Sequence, residues 1–195
     1  MDKVLIFYAH PNKDGFSGCF LKNTCERLDN LGREFEVLDL YEMNYNPLLL
    51  PKEHYSSGHD ELSLENKEIQ LKISAANKLI FIYPTWWQNM PAILKGLFDR
   101  VLVKGFGFRF NKRGMYFGLL KGRKAVIFTN TGAPKFFIWL LASNRSLRNI
   151  KKDILGFCGI KSRAFSIGGA ANLTELKKSK IKNQVKKGIA YLFND

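Results

Sequence analysis

Lys78-Leu79-Ile80-Phe81-Ile82-Tyr83-Pro84-Thr85-Trp86-Trp87-Gln88-Asn89-Met90-Pro91-Ala92-Ile93-Leu94-Lys95-Gly96 decides the fold. Its first six residues form an apolar block rich in β-branched and aromatic side chains, the composition of a strand buried on both faces. Pro84 removes the next ladder donor and ends the strand. Pro91 stands where proline suits the first position of a helix running on to Val101. Between them lie two tryptophans, a Gln and an Asn. Bulky aromatics at the carboxyl end of a central strand suit a loop that holds a flat ligand, because an α/β sheet binds ligands there.

Working outward, Lys3 to Tyr8 reads as a first strand, and the loop Ala9 to Gly18 leads into a helix to Leu31 with Phe20, Leu21, Cys25 and Leu28 on one face. Gly32 closes that helix, and Glu34 to Leu40 alternates as a second strand. Tyr41 to Leu62 is irregular, a loop length that is usually functional or mobile. Leu64 to Ala76 predicts an amphipathic helix. The glycine and aromatic alternation of Gly105 to Phe110 belongs at the surface, over a site or an interface. Lys124 to Thr129 is a fourth strand, followed by the turn Asn130 to Pro134. Phe136 to Phe157 reads as mostly helical, Ser162 to Ile167 as a fifth strand, and Leu173 to Phe193 as a basic closing helix. Five strands alternating with helices predict one α/β domain over residues 1–195, with a parallel sheet in a three-layer sandwich. Right-handed crossovers favour the flavodoxin-like strand order 2-1-3-4-5.

Composition narrows the function. The chain has 195 residues, 46% of them hydrophobic, and 31 Lys+Arg against 17 Asp+Glu for a net charge of +14. A core of that apolar content is globular and excludes a disordered chain. The charge favours anionic ligands such as phosphates and nucleotides, and a solvated basic surface explains it without nucleic acid. Cys19, Cys25 and Cys158 show neither a paired framework nor a zinc spacing, which fits a reduced, cytoplasmic setting. His54 and His59 lack metal-ligand partners nearby in sequence, so no metal is expected. No apolar run reaches membrane-spanning length. Asp99 and Arg100 read as a helix-end charged pair, and Lys177-Lys178-Ser179-Lys180 as a solvated helix face.

The first loop is the natural phosphate site, with Gly15, Ser17 and Gly18 letting backbone amides approach an anion at a helix N-terminus and His10 adding a donor. It matches neither the Gly-x-Gly-x-x-Gly nor the Walker pattern, which disfavours a dinucleotide Rossmann domain or a P-loop NTPase. Cys19, at the start of the helix, reads as a small residue against that loop; Arg is absent six residues on, where a Cys-x5-Arg phosphatase needs it. Loops 9 to 19, 84 to 90 and 130 to 134 all follow strands of one parallel sheet. They therefore open at the same edge, offering phosphate donors, an aromatic wall and a small Thr-Gly turn, a combination that suits a flavin.

Tyr83 to Gly96 with Phe98-Asp99-Arg100-Val101 resembles the hallmark of the flavodoxin-like NAD(P)H:quinone oxidoreductase family. That family includes mammalian quinone reductases, bacterial modulators of drug activity and ancillary proteins of potassium efflux systems. Ala9-His10-Pro11 with Ser17, Asp39-Leu40-Tyr41 with Met43 and Asn46-Pro47, and Thr131-Gly132 resemble its other motifs in the same order. The resemblance implies that His10, Ser17, Gly18 and Cys19 hold the flavin phosphate. It implies that Pro84, Thr85, Trp86, Trp87 and Asn89 line the isoalloxazine, with Asn130, Thr131, Gly132 and Ala133 near the ring. It further implies FMN or FAD as cofactor, NAD(P)H as donor, a quinone-like acceptor in a ping-pong cycle, and a homodimer formed through the aromatic segments. Gly18-Cys19 replaces the Phe-Asn of many members, and Ala133-Pro134 replaces a second glycine. The tyrosine and histidine that assist hydride transfer in mammalian members have no assured counterparts, so no catalytic acid is assigned. The resemblance to efflux ancillary proteins also leaves open a flavin-binding regulatory subunit of a transporter; a one-electron flavodoxin carrier suits the basic charge less well.

Overall fold

A computed structural model describes residues 3–54, 61–133 and 145–194. Its sheet joins β1 (Val4–Tyr8), β2 (Phe35–Asp39), β3 (Lys78–Pro84), β6 (Lys124–Asn130) and β7 (Lys161–Ile167) in the order β2-β1-β3-β6-β7. Every pairing is parallel. With the short strands β4 (Phe108–Phe110) and β5 (Tyr116–Gly118) set aside, this is the flavodoxin-like order 2-1-3-4-5.

The period of two in a strand sends successive side chains to opposite faces, and each face has its own core. Leu5, Phe7, Leu79, Phe81, Ala125 and Ile127 pack on one side with residues of α2 (Leu64–Ala75) and α3 (Ala92–Val101). Val4, Ile6, Tyr8, Ile80, Ile82, Val126 and Phe128 pack on the other with residues of α1 (Phe16–Asp29) and the last helix. That burial on both faces is why β1 and β3 read as continuous apolar runs instead of alternating ones. A short helix α4 (Arg145–Arg148) passes into a π-helical stretch, Asn149–Gly156, before β7, and α5 (Glu175–Phe193) closes the chain.

Several sequence expectations need adjusting. α1 starts at Phe16 instead of Gly18, because the Gly15 backbone is extended and caps the helix. Pro91 is the N-cap of α3 and Ala92 its first residue. The segment from Gly105 is an antiparallel hairpin of β4 and β5, packed through Phe108 and Tyr116 on Phe157 at ring distances of 4.9 and 4.3 Å. Phe157 precedes β7, so within one chain the hairpin covers the amino edge of the sheet and not the carboxyl edge where the ligand loops open.

Asp99 and Arg100 do not pair with each other. Asp99 takes Lys95 one turn back at 2.5 Å, while Arg100 points inward and forks onto Glu53 at 2.7 and 2.8 Å. One charge of the supposed surface pair is therefore buried. The aromatic run Phe136 to Leu141, His59, Pro134 and residues 55–60 of the irregular loop lie outside the described residues.

Candidate functional site

Parallel strands place the loops after β1, β3, β6 and β7 at one edge, and named side-chain bonds join them there. Ser17, in the first turn of α1, is buried and donates to Asn130 Oδ1 at 2.8 Å. Asn130 ends β6, and its carbonyl accepts from the Thr85 amide at 2.7 Å. Thr85 Oγ1 also lies 2.9 Å from Thr129 Oγ1, so Pro84 and Thr85 are fixed directly beside the end of β6. The His10 ring meets Trp86 at 5.9 Å between centroids. The three loops expected to converge do converge.

The first loop fits an anion. Cys19 closes the first bond of α1 onto Gly15 O at 2.9 Å, which leaves the amides of Phe16, Ser17 and Gly18 at the open helix end. No side chain caps that end and no acidic residue stands in the first turn. A Cβ on Gly15 would meet nothing within 4 Å, whereas one on Gly18 would fall 1.6 Å from Lys13 O. The loop backbone is thus laid on Gly18 while space remains over Gly15. His10 is held through Nδ1, which lies 2.5 Å from Asn12 O and 3.0 Å from the Asn12 amide, while these contacts leave Nε2 unused. Tyr8 donates its hydroxyl to Asn12 O at 2.9 Å; burial, then Asp39 and Asp14, push its pKa up and keep it a donor.

The geometry separates the residues of the aromatic loop. Trp86 and Asn89 exchange both backbone hydrogen bonds at 2.9 Å, and Trp87 and Gln88 between them have φ of 49° and 58°. This is a two-residue type I′ hairpin, normally built from Asn and Gly because each left-handed residue with a Cβ costs roughly 1–2 kcal/mol. Trp86 turns toward His10 and is 42% exposed, but Trp87 is fully exposed at the tip. Trp86, and not Trp87, is therefore the candidate wall within this chain, and the amides of Trp87 and Gln88, unused by the hairpin, are candidate donors to a ring. Asn89 Oδ1 is engaged by the Met90 amide at 2.9 Å.

On the far side, Thr131 is buried and bonds Ile167 O through its amide at 2.9 Å, while its own carbonyl takes the Ala170 amide at 3.0 Å. Ala133 O accepts from Gly169 at 3.1 Å, so Thr131 to Ala133 is stitched to the loop after β7, and Gly132 stays open. Cys19 is half-buried beside Asn23, and burial raises its thiol pKa, opposite to the lowering a helix N-terminus alone would give. It does not resemble an activated nucleophile.

Residues not assigned from the sequence complete the site. Lys177 is not simply solvated: it donates to Gly169 O at 2.5 Å and Asn172 O at 3.0 Å and lies 5.5 Å from the Phe16 ring, bracing the β7 loop against the start of α1. No spacing in the sequence announces such a contact. Lys13 and Asp39, the latter within a quoted motif but without an assigned role, form an ion pair at 3.0 Å. Among the described residues no group of three or more His, Cys, Asp or Glu could hold a metal ion.

Strand order and site position define a doubly wound fold with its ligand loops at the carboxyl edge, the flavodoxin-like class. A family model described as flavodoxin-like fold matches residues 2–190. An uncharacterized NAD(P)H oxidoreductase of Haemophilus influenzae is 31% identical over 178 residues, covering 90% of this chain and 88% of that protein. Human ribosyldihydronicotinamide dehydrogenase [quinone] is 30% identical over 209 residues, covering 91% and 86%. The solved NAD(P)H:quinone oxidoreductase from Methanothermobacter marburgensis superposes with a TM-score of 0.84 at 27% identity, covering 99% of this chain and 96% of that one. The chain belongs to the flavodoxin-like NAD(P)H:quinone oxidoreductase family and is an oxidoreductase.

Proposed function

We propose that the protein is a flavin-dependent NAD(P)H:quinone oxidoreductase. The carrying observation is the joining of three carboxyl-edge loops by Ser17–Asn130, Thr85–Asn130 and His10–Trp86 around an uncapped helix end. When bound, the flavin supplies the redox chemistry, passing a hydride from NAD(P)H to a quinone in ping-pong order. The residues of the chain bind and orient. The amides of Phe16, Ser17 and Gly18, with His10 Nε2, are suited to the flavin phosphate. Ser17 also holds Asn130 in place, so that the phosphate and ring ends of the site are set by one hydrogen bond. Trp86 would flank the bound ring, and the Trp87 and Gln88 amides would supply donors to charge at its polar edge. The other site residues, Pro84, Asn89, Thr131, Gly132 and Ala133, shape the site in this scheme and move no proton.

Initial rates test the reading. With NAD(P)H and a soluble benzoquinone varied together, double-reciprocal lines are expected to be parallel; intersecting lines would exclude ping-pong order, and no turnover with any quinone would sink the enzyme assignment. The cofactor is FMN or FAD. The free thiols Cys19, Cys25 and Cys158 fit a reducing cytoplasm, and among the described residues no helix is long and apolar enough to cross a membrane.

A homodimer belongs to the same proposal. Phe110, Met115, Tyr116 and Phe117 are exposed on the β4–β5 hairpin and suit a second copy of the chain. Sedimentation at twice the chain mass is expected, and a monomer would refute it. A different protein bound there in stoichiometric amount, together with negligible turnover, would instead favour a regulatory subunit.

A further inference from the structure

We propose that the Lys13–Asp39 ion pair is a positioning device for the phosphate loop: Asp39 acts through Lys13 to hold that loop, and Lys13 is not itself a phosphate ligand. The proposal rests on the flavin reading above. A lysine in a phosphate loop ordinarily suggests direct contact with the anion, but the geometry commits this one elsewhere. Its ammonium lies 3.0 Å from Asp39 Oδ2 and also meets Glu42. Both carboxylates hold the ammonium above its ordinary pKa, Glu42 first and Asp39 next.

Asp39 is built to serve as the fixed end. It is 6% exposed, sits opposite Tyr8 in the β1–β2 register, and its Oδ1 accepts the amides of Tyr41 and Glu42 at 3.1 and 3.3 Å. A carboxylate held by two amides cannot swing away, so it fixes the ammonium that it pairs with. The backbone of the same lysine is the part of the loop that rests on Gly18, where Lys13 O would stand 1.6 Å from a Cβ. The other bonds at Asn12 and Asp14, the residues flanking Lys13, are local: Tyr8 to Asn12 O at 2.9 Å, the Asn12 amide to His10 Nδ1 at 3.0 Å, and the Asp14 amide to Asn12 Oδ1 at 2.7 Å. The Lys13 contacts tie the loop to the neighbouring strand β2. Releasing them frees the loop to drift over the amides of the first turn of α1, without touching Trp86 or the ring end of the site.

The pair of ligands FMN and riboflavin, which differ by the phosphate, reads this directly. The full chain freed of flavin is titrated with each by fluorescence quenching. Lys13→Met and Asp39→Asn are each expected to weaken FMN about tenfold, the scale of one charge-assisted contact, and riboflavin by less than about twofold. Lys13→Arg, which keeps the pair, is expected to retain the FMN affinity. Glu42→Gln serves as the second variant if Asp39→Asn does not fold, and thermal midpoints establish that the variants titrated are folded. An unchanged ratio of FMN to riboflavin affinity in folded Lys13→Met overturns the proposal. So does tighter FMN binding by Asp39→Asn with weaker binding by Lys13→Met, which would make Lys13 a direct ligand released by losing its partner. A wild-type chain that binds neither flavin refutes the flavin reading itself, and the proposal with it.

Discussion

Gly18→Ala is expected to weaken FMN binding by about 100-fold, because the new methyl has no place to go. Its Cβ would lie 1.6, 2.4 and 2.8 Å from the carbonyl oxygen, carbonyl carbon and Cα of Lys13. Those are backbone atoms, so no rotamer change relieves the clash; either the loop lifts or α1 moves. Overpacking of this kind costs about 1–3 kcal/mol, and at about 1.4 kcal/mol per tenfold in affinity the upper part of that range is roughly 100-fold. Titration with FMN measures the effect. Gly15→Ala gives the steric comparison, since its Cβ would meet nothing within 4 Å, and a smaller loss is expected there. Equal affinity for Gly18→Ala and wild type would show that the phosphate does not depend on the loop lying against α1.

The second large effect concerns stability. Arg100 is 3% exposed, donates twice to Glu53 and also to Asn46 O, while the Leu50 amide at 3.3 Å and Asn66 at 3.4 Å complete the Glu53 carboxylate. Asn66 in turn accepts from Tyr45 at 2.8 Å. This network pins the irregular segment after β2 onto α3, where Pro47 runs so close to Gly96 that a Cβ there would stand 2.3 Å from Pro47 O. Arg100→Met strands the Glu53 charge and is expected to cost about 3–5 kcal/mol, a fall of roughly 10 °C in Tm for a chain of this size. Adding Glu53→Leu is expected to recover part of the loss, because the pair is replaced by apolar groups.

The pH dependence carries a sign of its own. Arg100 holds the Glu53 carboxyl below its usual range, so the wild-type contribution is complete above about pH 4.3 and falls away as the pH drops through the depressed value. In Arg100→Met the unpaired, buried carboxyl shifts the other way, and its penalty is relieved by protonation. The gap in Tm between wild type and Arg100→Met is therefore expected to be widest near neutrality and to narrow in acid. A gap independent of pH would mean that the loss comes from packing and not from the stranded charge.

The sheet was legible because Val4 to Tyr8, Lys78 to Tyr83 and Lys124 to Thr129 are continuous apolar runs, and burial on both faces leaves that mark. The three ligand loops followed from those strand ends. Other features left no local mark. Trp87 and Gln88 occupy left-handed positions that Gly and Asn normally fill, so the type I′ turn was invisible, and with it the outward direction of Trp87. The β4–β5 hairpin has strands of three residues, too short for alternation to register. The Arg100–Glu53 pair spans 47 residues, and adjacency made Asp99 look like the natural partner. Lys177 looked like solvent-facing charge and Lys13 carried no reading of its own, because their partners, the carbonyls of Gly169 and Asn172 and the Asp39 carboxylate, lie on other elements. The three converging loops already suited a flavin; the family resemblance supplied the NAD(P)H donor and the quinone acceptor.

The most direct measurement is the flavin content and redox behaviour of the purified chain reconstituted with FMN or FAD. On denaturation it is expected to release about one flavin per chain, identified by mass; before that, its visible band should bleach with NAD(P)H under anaerobic conditions and return on adding a quinone. A folded chain that retains neither FMN nor FAD, or a bound flavin whose band NAD(P)H leaves unchanged, would contradict the proposed function.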